Sequence, residues 1–220
     1  MKSKLSSLAA LTACLLFLAS GAFASSIPYS DPANSGTQAW SGNLALDFNV
    51  NSSITISQMG VFNAAGNGII TGFIDVAIFN TNTGVMVPGT LAVFHGAYAT
   101  GGLGYDVFQH ITPVTLGPGS YGVVAVGFSG NDLNGNINFL TSGPLLDNLG
   151  GKLTFTGASY DGNITLDNPT SCAGCQGPPA QWRQFDAGTF AVPESSTLAT
   201  LLGFGIFNLA AVLGVRRKLI

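Results

Sequence analysis

The sequence predicts an all-β chain: a single β-sandwich or jelly-roll-like ectodomain with an apolar targeting segment at each end. Three observations predict it. Between residues 42 and 191, apolar residues alternate with polar or small ones in about ten short segments, the period of strands with one buried face. Gly, Asn, Pro and Ser punctuate those segments, as turns punctuate sandwiches and jelly rolls. No apolar period of about 3.6 residues persists long enough there for a surface helix, and no repeat of fixed length recurs.

In chain order, Lys2 and Lys4 precede an apolar stretch from Leu8 to Ala19, and Ala22-Phe23-Ala24 follows. A basic start, an apolar middle and small residues at a cleavage position make residues 1–24 a secretory signal peptide, with Ser25 opening the mature chain. Signal peptidase and the general secretion machinery are the partners this implies. Leu11-Thr12-Ala13-Cys14 also fits a lipoprotein-type box. Cleavage there would fall inside the apolar stretch and leave Leu15 to Ala19 on the mature end, so Cys14 is expected to leave with the signal peptide.

Residues 25–41 are rich in Pro, Ser, Asn and Gly and read as an irregular arm, with Trp40 placed to pin it to the domain. Leu44, Leu46, Phe48 and Val50 alternate, and Ile54 and Ile56 lead into Met59-Gly60-Val61-Phe62. Ile74, Val76 and Ile78 alternate in turn. Val85 to Val87 and Leu91 to Phe94 flank Pro88-Gly89, which belongs at an edge or bend because proline cannot donate to a ladder. Further strands are expected at Tyr105 to Ile111, Ile137 to Leu140, Lys152 to Thr156, Ile164 to Leu166 and Gly188 to Ala191. Tyr121 to Phe128 is the most apolar strand and is expected to be central and covered on both sides. Its alternation places Val124, Val126 and Phe128 on one face, Val123 and Ala125 on the other.

Charge narrows the partners. Of seven Lys and Arg, only Lys152 and Arg183 fall between residues 25 and 192, against nine aspartates, for a net charge of about −7. Such a surface offers nothing to neutralise phosphates, so nucleic acid is not an expected partner. An anionic polysaccharide would be repelled unless cations bridged it. The length, 168 residues between the targeting segments, suffices for one domain with its own core.

The chemistry-bearing residues are sparse. Asn63-x-Ala65-x-Asn67-Gly68 has the outline of a calcium loop, but Asn or Ala stands where carboxylates would be. Asp132-x-Asn134-x-Asn136 lacks the later glycine and glutamate. Both read as turns in which Asn tolerates positive φ, and no cofactor or metal ligand set is assigned; calcium held by aspartates distant in sequence stays open. His95 and His110 stand on separate strands, without an H-x-x-x-H pair or a G-x-S-x-G elbow. No catalytic residue is assigned, although two aspartates meeting in space would open a matrix-polymer hydrolase reading. Trp40, Trp182, Tyr29, Tyr98 and Tyr160 sit among Gly, Asn and Ser. They read as fillers of the sandwich ends or as sugar-stacking platforms.

Cys172 and Cys175 are the cysteines left once Cys14 departs, and they face an oxidising compartment. A zinc site would need two more ligands, and a redox pair would need a helix that Pro169, Pro178 and Pro179 oppose. A disulfide clip is expected. Closing so short a loop contributes about 2 kcal/mol before strain.

The last 28 residues run Pro193-Glu194-Ser195-Ser196, an uncharged apolar stretch from Thr197 to Val215, then Arg216-Arg217-Lys218. As a helix, residues 197–215 would cross the roughly 30 Å apolar core of a bilayer. The cations after it would hold that end in the cytoplasm. Val192-Pro193-Glu194-Ser195-Ser196-Thr197-Leu198 abutting the helix resembles the PEP-CTERM sorting tail of Gram-negative, exopolysaccharide-producing bacteria. The same tail is sometimes labelled the C-terminal domain of ice-binding proteins, a label for the tail alone. Ser195 stands where the family usually has a second proline. The resemblance covers residues 192–220. It implies recognition by an exosortase, a membrane transpeptidase that cuts near the motif, after transient anchoring in the inner membrane.

Gly60-Val61-Phe62-Asn63, Gly66-Asn67-Gly68, Ile74 to Phe79, Pro113 to Leu116 and Gly119-Ser120-Tyr121 resemble the β-sandwich ectodomains of many sorting-tail proteins. These are turns and core strands, so they speak to fold and not to chemistry. The expected function is that of an exported, non-enzymatic surface or matrix protein associated with exopolysaccharide and biofilm. A carbohydrate-binding or adhesive module is the alternative, with polysaccharide as partner.

Overall fold

The computed structural model describes residues 25–30, 36, 38–66, 68–97, 106–136, 145–171 and 185–193. The chain divides into one unit spanning Ser26–Val192 and another made of Met1–Ser25 with Pro193–Ile220. Apart from Ser25 and Pro193, the described residues belong to the first unit. They are all-β: strands, one short 3-10 turn at Ala64–Gly66, and no α-helix among the described residues.

Two sheets dominate. The first orders β1 (Ser25–Ser26), β14 (Gly188–Pro193), β4 (Ile54–Phe62) and β8 (Asp106–Leu116). The second orders β12 (Leu153–Tyr160), β3 (Leu44–Val50), β9 (Gly119–Val126), β5 (Ile69–Asn80) and β6 (Val85–Met86), with β7 (Ala92–Gly96) also beside β5. Two minor pairs join β2 (Tyr29–Ser30) to β11 (Leu145–Leu146) and β10 (Gly135–Asn136) to β13 (Phe185–Asp186). The segment read as an irregular arm thus contributes two short strands, and the Trp40 indole N–H reaches the Asp161 carbonyl at 3.1 Å.

Alternation fixes the register. Leu44, Leu46 and Phe48 of β3 stand opposite Ala125, Val123 and Tyr121 of β9. Val123 and Ala125 stand opposite Ile78 and Val76 of β5. All of them face a core completed from the other sheet by Ile54, Ile56, Met59 and Val61 of β4, Val107 of β8 and Phe190 of β14. The Phe48 ring centre lies 5.3 Å from that of Phe190 and 6.0 Å from that of Tyr121. Burying each large side chain contributes roughly 2 kcal/mol by transfer alone. The sheets approach closely at Gly188, where a Cβ would stand 3.0 Å from a Val76 methyl and 3.3 Å from a Val123 methyl.

Three further expectations change. Ile164 to Leu166 is not a strand; the Thr165 carbonyl accepts from the Asn43 side chain instead of a ladder partner, and Ile164 is 78% exposed. The strand expected to end at Ile111 continues through Pro113 to Leu116. Proline is tolerated because β8 is an edge strand and because Ile111 to Pro113 bulge opposite Ser57, between the pairs Gln58–His110 and Ile56–Val114. Finally, β9 is buried on both faces from Tyr121 to Val126 as expected, but Phe128 does not share a face with Val124. Gly127, at φ 107°, interrupts the alternation and sends Phe128 into the main core. A Cβ at Gly127 would overlap the Phe73 carbonyl. Val124 packs on the opposite face with Ala45, Ala77 and Phe79 in a small second cluster, covered by Met86 and Leu166.

Candidate functional site

That second face is roofed by a strap, residues 161–170, which follows β12. The residue that holds it is Asn43, fully buried at the entrance to β3. Its Nδ2 lies 3.0 Å from Asp161 Oδ1, 3.2 Å from the Asn163 carbonyl, 3.0 Å from the Thr165 carbonyl and 2.7 Å from Asp167 Oδ1. In return the Asp167 N–H donates to Asn43 Oδ1 at 3.1 Å, and the Asp161 N–H donates to the Asn43 carbonyl at 3.1 Å. Asn163 ties the carboxylates together, donating from Nδ2 to Asp167 Oδ2 at 2.9 Å and from its backbone to Asp161 Oδ1 at 3.0 Å. Gly42 makes room: a Cβ there would overlap the Asp161 carbonyl. Burial pushes the Asp167 carboxyl up, the neighbouring Asp161 charge adds to the rise, and the hydrogen bonds from Asn163 and Asn43 oppose it.

Residues 161, 163, 165 and 167 therefore present oxygen from alternate positions, the donor type a hard dication takes. Among the described residues no group of three or more His, Cys, Asp or Glu side chains is arranged for a metal ion. In the two turns weighed from the sequence, Asn63, Asp132 and Asn134 each direct one polar atom to the main chain. Asn63 Oδ1 accepts from the Gly68 N–H at 3.0 Å, Asp132 Oδ1 from the Ile70 N–H at 2.6 Å, and Asn134 donates to the Gln38 carbonyl at 2.8 Å.

Beside the strap, Asp47 points from β3 over Gly122, where a Cβ would come within 2.9 Å of its Oδ1. Desolvation pushes its carboxyl up to about 6, against the one hydroxyl, Ser159, that donates to it.

The aromatics divide differently from the sequence expectation. Tyr29 is buried in the main core, so it is no platform. Trp40 packs edge-on against Tyr160 at 5.8 Å. Phe73, which the sequence reading passed over, is 60% exposed, with its ring 4.6 Å from that of His95. His95 Nδ1 lies 2.6 Å from the Gly72 carbonyl. Gly72, at φ 81°, sits in the irregular stretch of β5 between Ile69 and Ile74, which turns Phe73 outward. Val93 and Leu91 continue an exposed apolar row along β7 and its approach. His110 stands opposite Gln58 in the other sheet, so the histidines are not brought together.

Ser25 lies in β1, and Val192 and Pro193 end β14. Ala22, Ala24, Cys172, Cys175, Glu194, Ser195, Arg216, Arg217 and Lys218 lie outside the described residues, as do Tyr98, Trp182 and the span expected at 197–215. Among the described residues no helix is long and apolar enough to cross a membrane. Compared with models of protein families and with curated proteins, the chain matches none.

Proposed function

We propose that the chain is an exosortase substrate: a non-enzymatic β-sandwich protein exported from a Gram-negative cell, anchored briefly by its tail, and released to the surface or exopolysaccharide matrix. The observation that carries this reading is Val192-Pro193-Glu194-Ser195 followed by an uncharged apolar run and Arg216-Arg217-Lys218. The folded unit supports it, because Ser26–Val192 runs from just after the expected signal cleavage site to the first residue of the sorting motif. So do the two sheets packed around one core, which we take as the sandwich. Cys172 and Cys175 are proposed to close as a disulfide in the exported form. Mass spectrometry of protein recovered from the medium should find Ser25 at the start, no peptide from Leu198 onward, and a Cys172–Cys175 peptide lighter by two thiol hydrogens. Intact Arg216-Arg217-Lys218 in the matrix fraction would overturn the processing.

Phe73 favours a second reading, a carbohydrate-binding module. An exposed ring held against His95, with Asp75 farther along the same strand, offers a stacking face beside a hydrogen-bonding group. On this reading the protein is retarded in gels containing a neutral glucan, and Phe73→Ala abolishes the retardation without changing the melting temperature. Equal mobility of the two proteins removes it.

A further inference from the structure

Loops that present oxygens from alternate residues commonly close around a cation. Here the point on which the oxygens of residues 161, 163, 165 and 167 converge is a nitrogen. Asn43 Nδ2 carries two hydrogens, yet four oxygens surround it at 2.7 to 3.2 Å. The amide nitrogen sets the positive end of its dipole between two carboxylates, those of Asp161 and Asp167. Its other end is committed as well, since Oδ1 takes the Asp167 N–H. Asp cannot donate at this position, Ala can do neither, and the Cβ clash at Gly42 shows how closely the strap is fitted there.

We infer that Asn43 is the latch of the strap, its amide standing where a cation would otherwise be needed, so that closure over Ala45, Ala77 and Val124 is independent of divalent metal. The strap is attached as well by the Trp40 indole bond to Asp161, by the Asp161 N–H to the Asn43 main-chain carbonyl, by the pairing of Tyr160 with Ser171 that brackets it and by the apolar contact of Leu166. None of these supplies hydrogen atoms to the carboxylates.

The test is hydrogen exchange of the amides at 161–170 in the full-length chain, held in mild detergent, with either EDTA or millimolar calcium. The wild type should exchange equally slowly in both. Asn43→Ala should exchange about tenfold to a hundredfold faster in both, the loss of two or three buried hydrogen bonds. Asn43→Asp brings a third carboxylate to the ring, so its strap should be unprotected in EDTA and recover protection in calcium. Wild-type protection that needs calcium would overturn the inference, making the ring a cation site. So would an Asn43→Ala strap as protected as the wild type, or an Asn43→Asp strap that calcium does not close. Should either variant fail to fold, the wild-type comparison with calcium and EDTA still decides.

Discussion

The two faces of the six-stranded sheet are covered by different means. The inner face presents Leu46, Phe48, Ile74, Val76 and Val123 to a second sheet, and side chains of both interlock. The outer face is made of smaller residues, Ala45, Ala77 and Val124, with Phe79, and it is covered by Leu166 of the strap and Met86 of β6. Apolar area holds the first cover, and it degrades gradually as methylenes are removed. Hydrogen bonds hold the second, most of them made by the Asn43 side chain, so one substitution weighs heavily on it. Equal burial in the two places therefore does not mean equal robustness.

The sharpest way to break this contrast is a charge at Val124. If the strap makes a true interior of the outer face, Val124→Asp buries an unpaired carboxylate and soluble folding is lost, a cost of several kcal/mol. A mutant that melts with the wild type would show that the outer face is solvent. Phe48→Ala on the inner face should cost about 3–5 kcal/mol in denaturant unfolding, with the fold retained. A loss below about 1 kcal/mol would mean that the core has collapsed onto the gap.

The smallest effect belongs to pH. Asp47 on the outer face is raised from 3.8 to about 6 by burial, and burial raises Asp75 and Asp167 as well. A carboxyl whose folded value lies above its unfolded value stabilises the fold while protonated. That contribution is fully present below about pH 4 and is lost as pH rises through about 6. For Asp47 the ceiling is on the order of 3 kcal/mol. Melting temperature should therefore fall between pH 4 and pH 7, and Asp47→Asn should flatten the slope. A wild-type melting temperature that climbs over this range would contradict the burial of Asp47.

Legibility in the sequence follows the range of the interaction. Leu44 to Val50 could be assigned to faces because alternation is local, and the register with Tyr121 to Ala125 follows from it. Phe128 and Phe73 escaped because Gly127 and Gly72 take positive φ, which a period-two count does not register. Asn43 escaped for another reason: Asp161 and Asp167 are 118 and 124 residues away. The spacing Asp161-x-Asn163-x-Thr165-x-Asp167 was visible, but Ile164 and Leu166 in the same stretch have the pattern of a strand. The exposure of Ile164 and the burial of the carbonyl partner, Asn43, resolve the conflict in favour of the oxygens.

The pairing of β1 with β14 sets the distance between the ends of the folded unit. A two-residue strand lying beside a six-residue one brings Ser26 within about 20 Å of Val192. A linker of about half a dozen residues could join them, and the domain could then be opened instead at Asn82-Thr83-Gly84, a turn at the tip of β5 and β6. Such a circular permutant would keep every strand neighbour while moving the chain ends to the Asn82-Thr83-Gly84 turn. It would separate what the fold requires of its ends from what the cell requires of them.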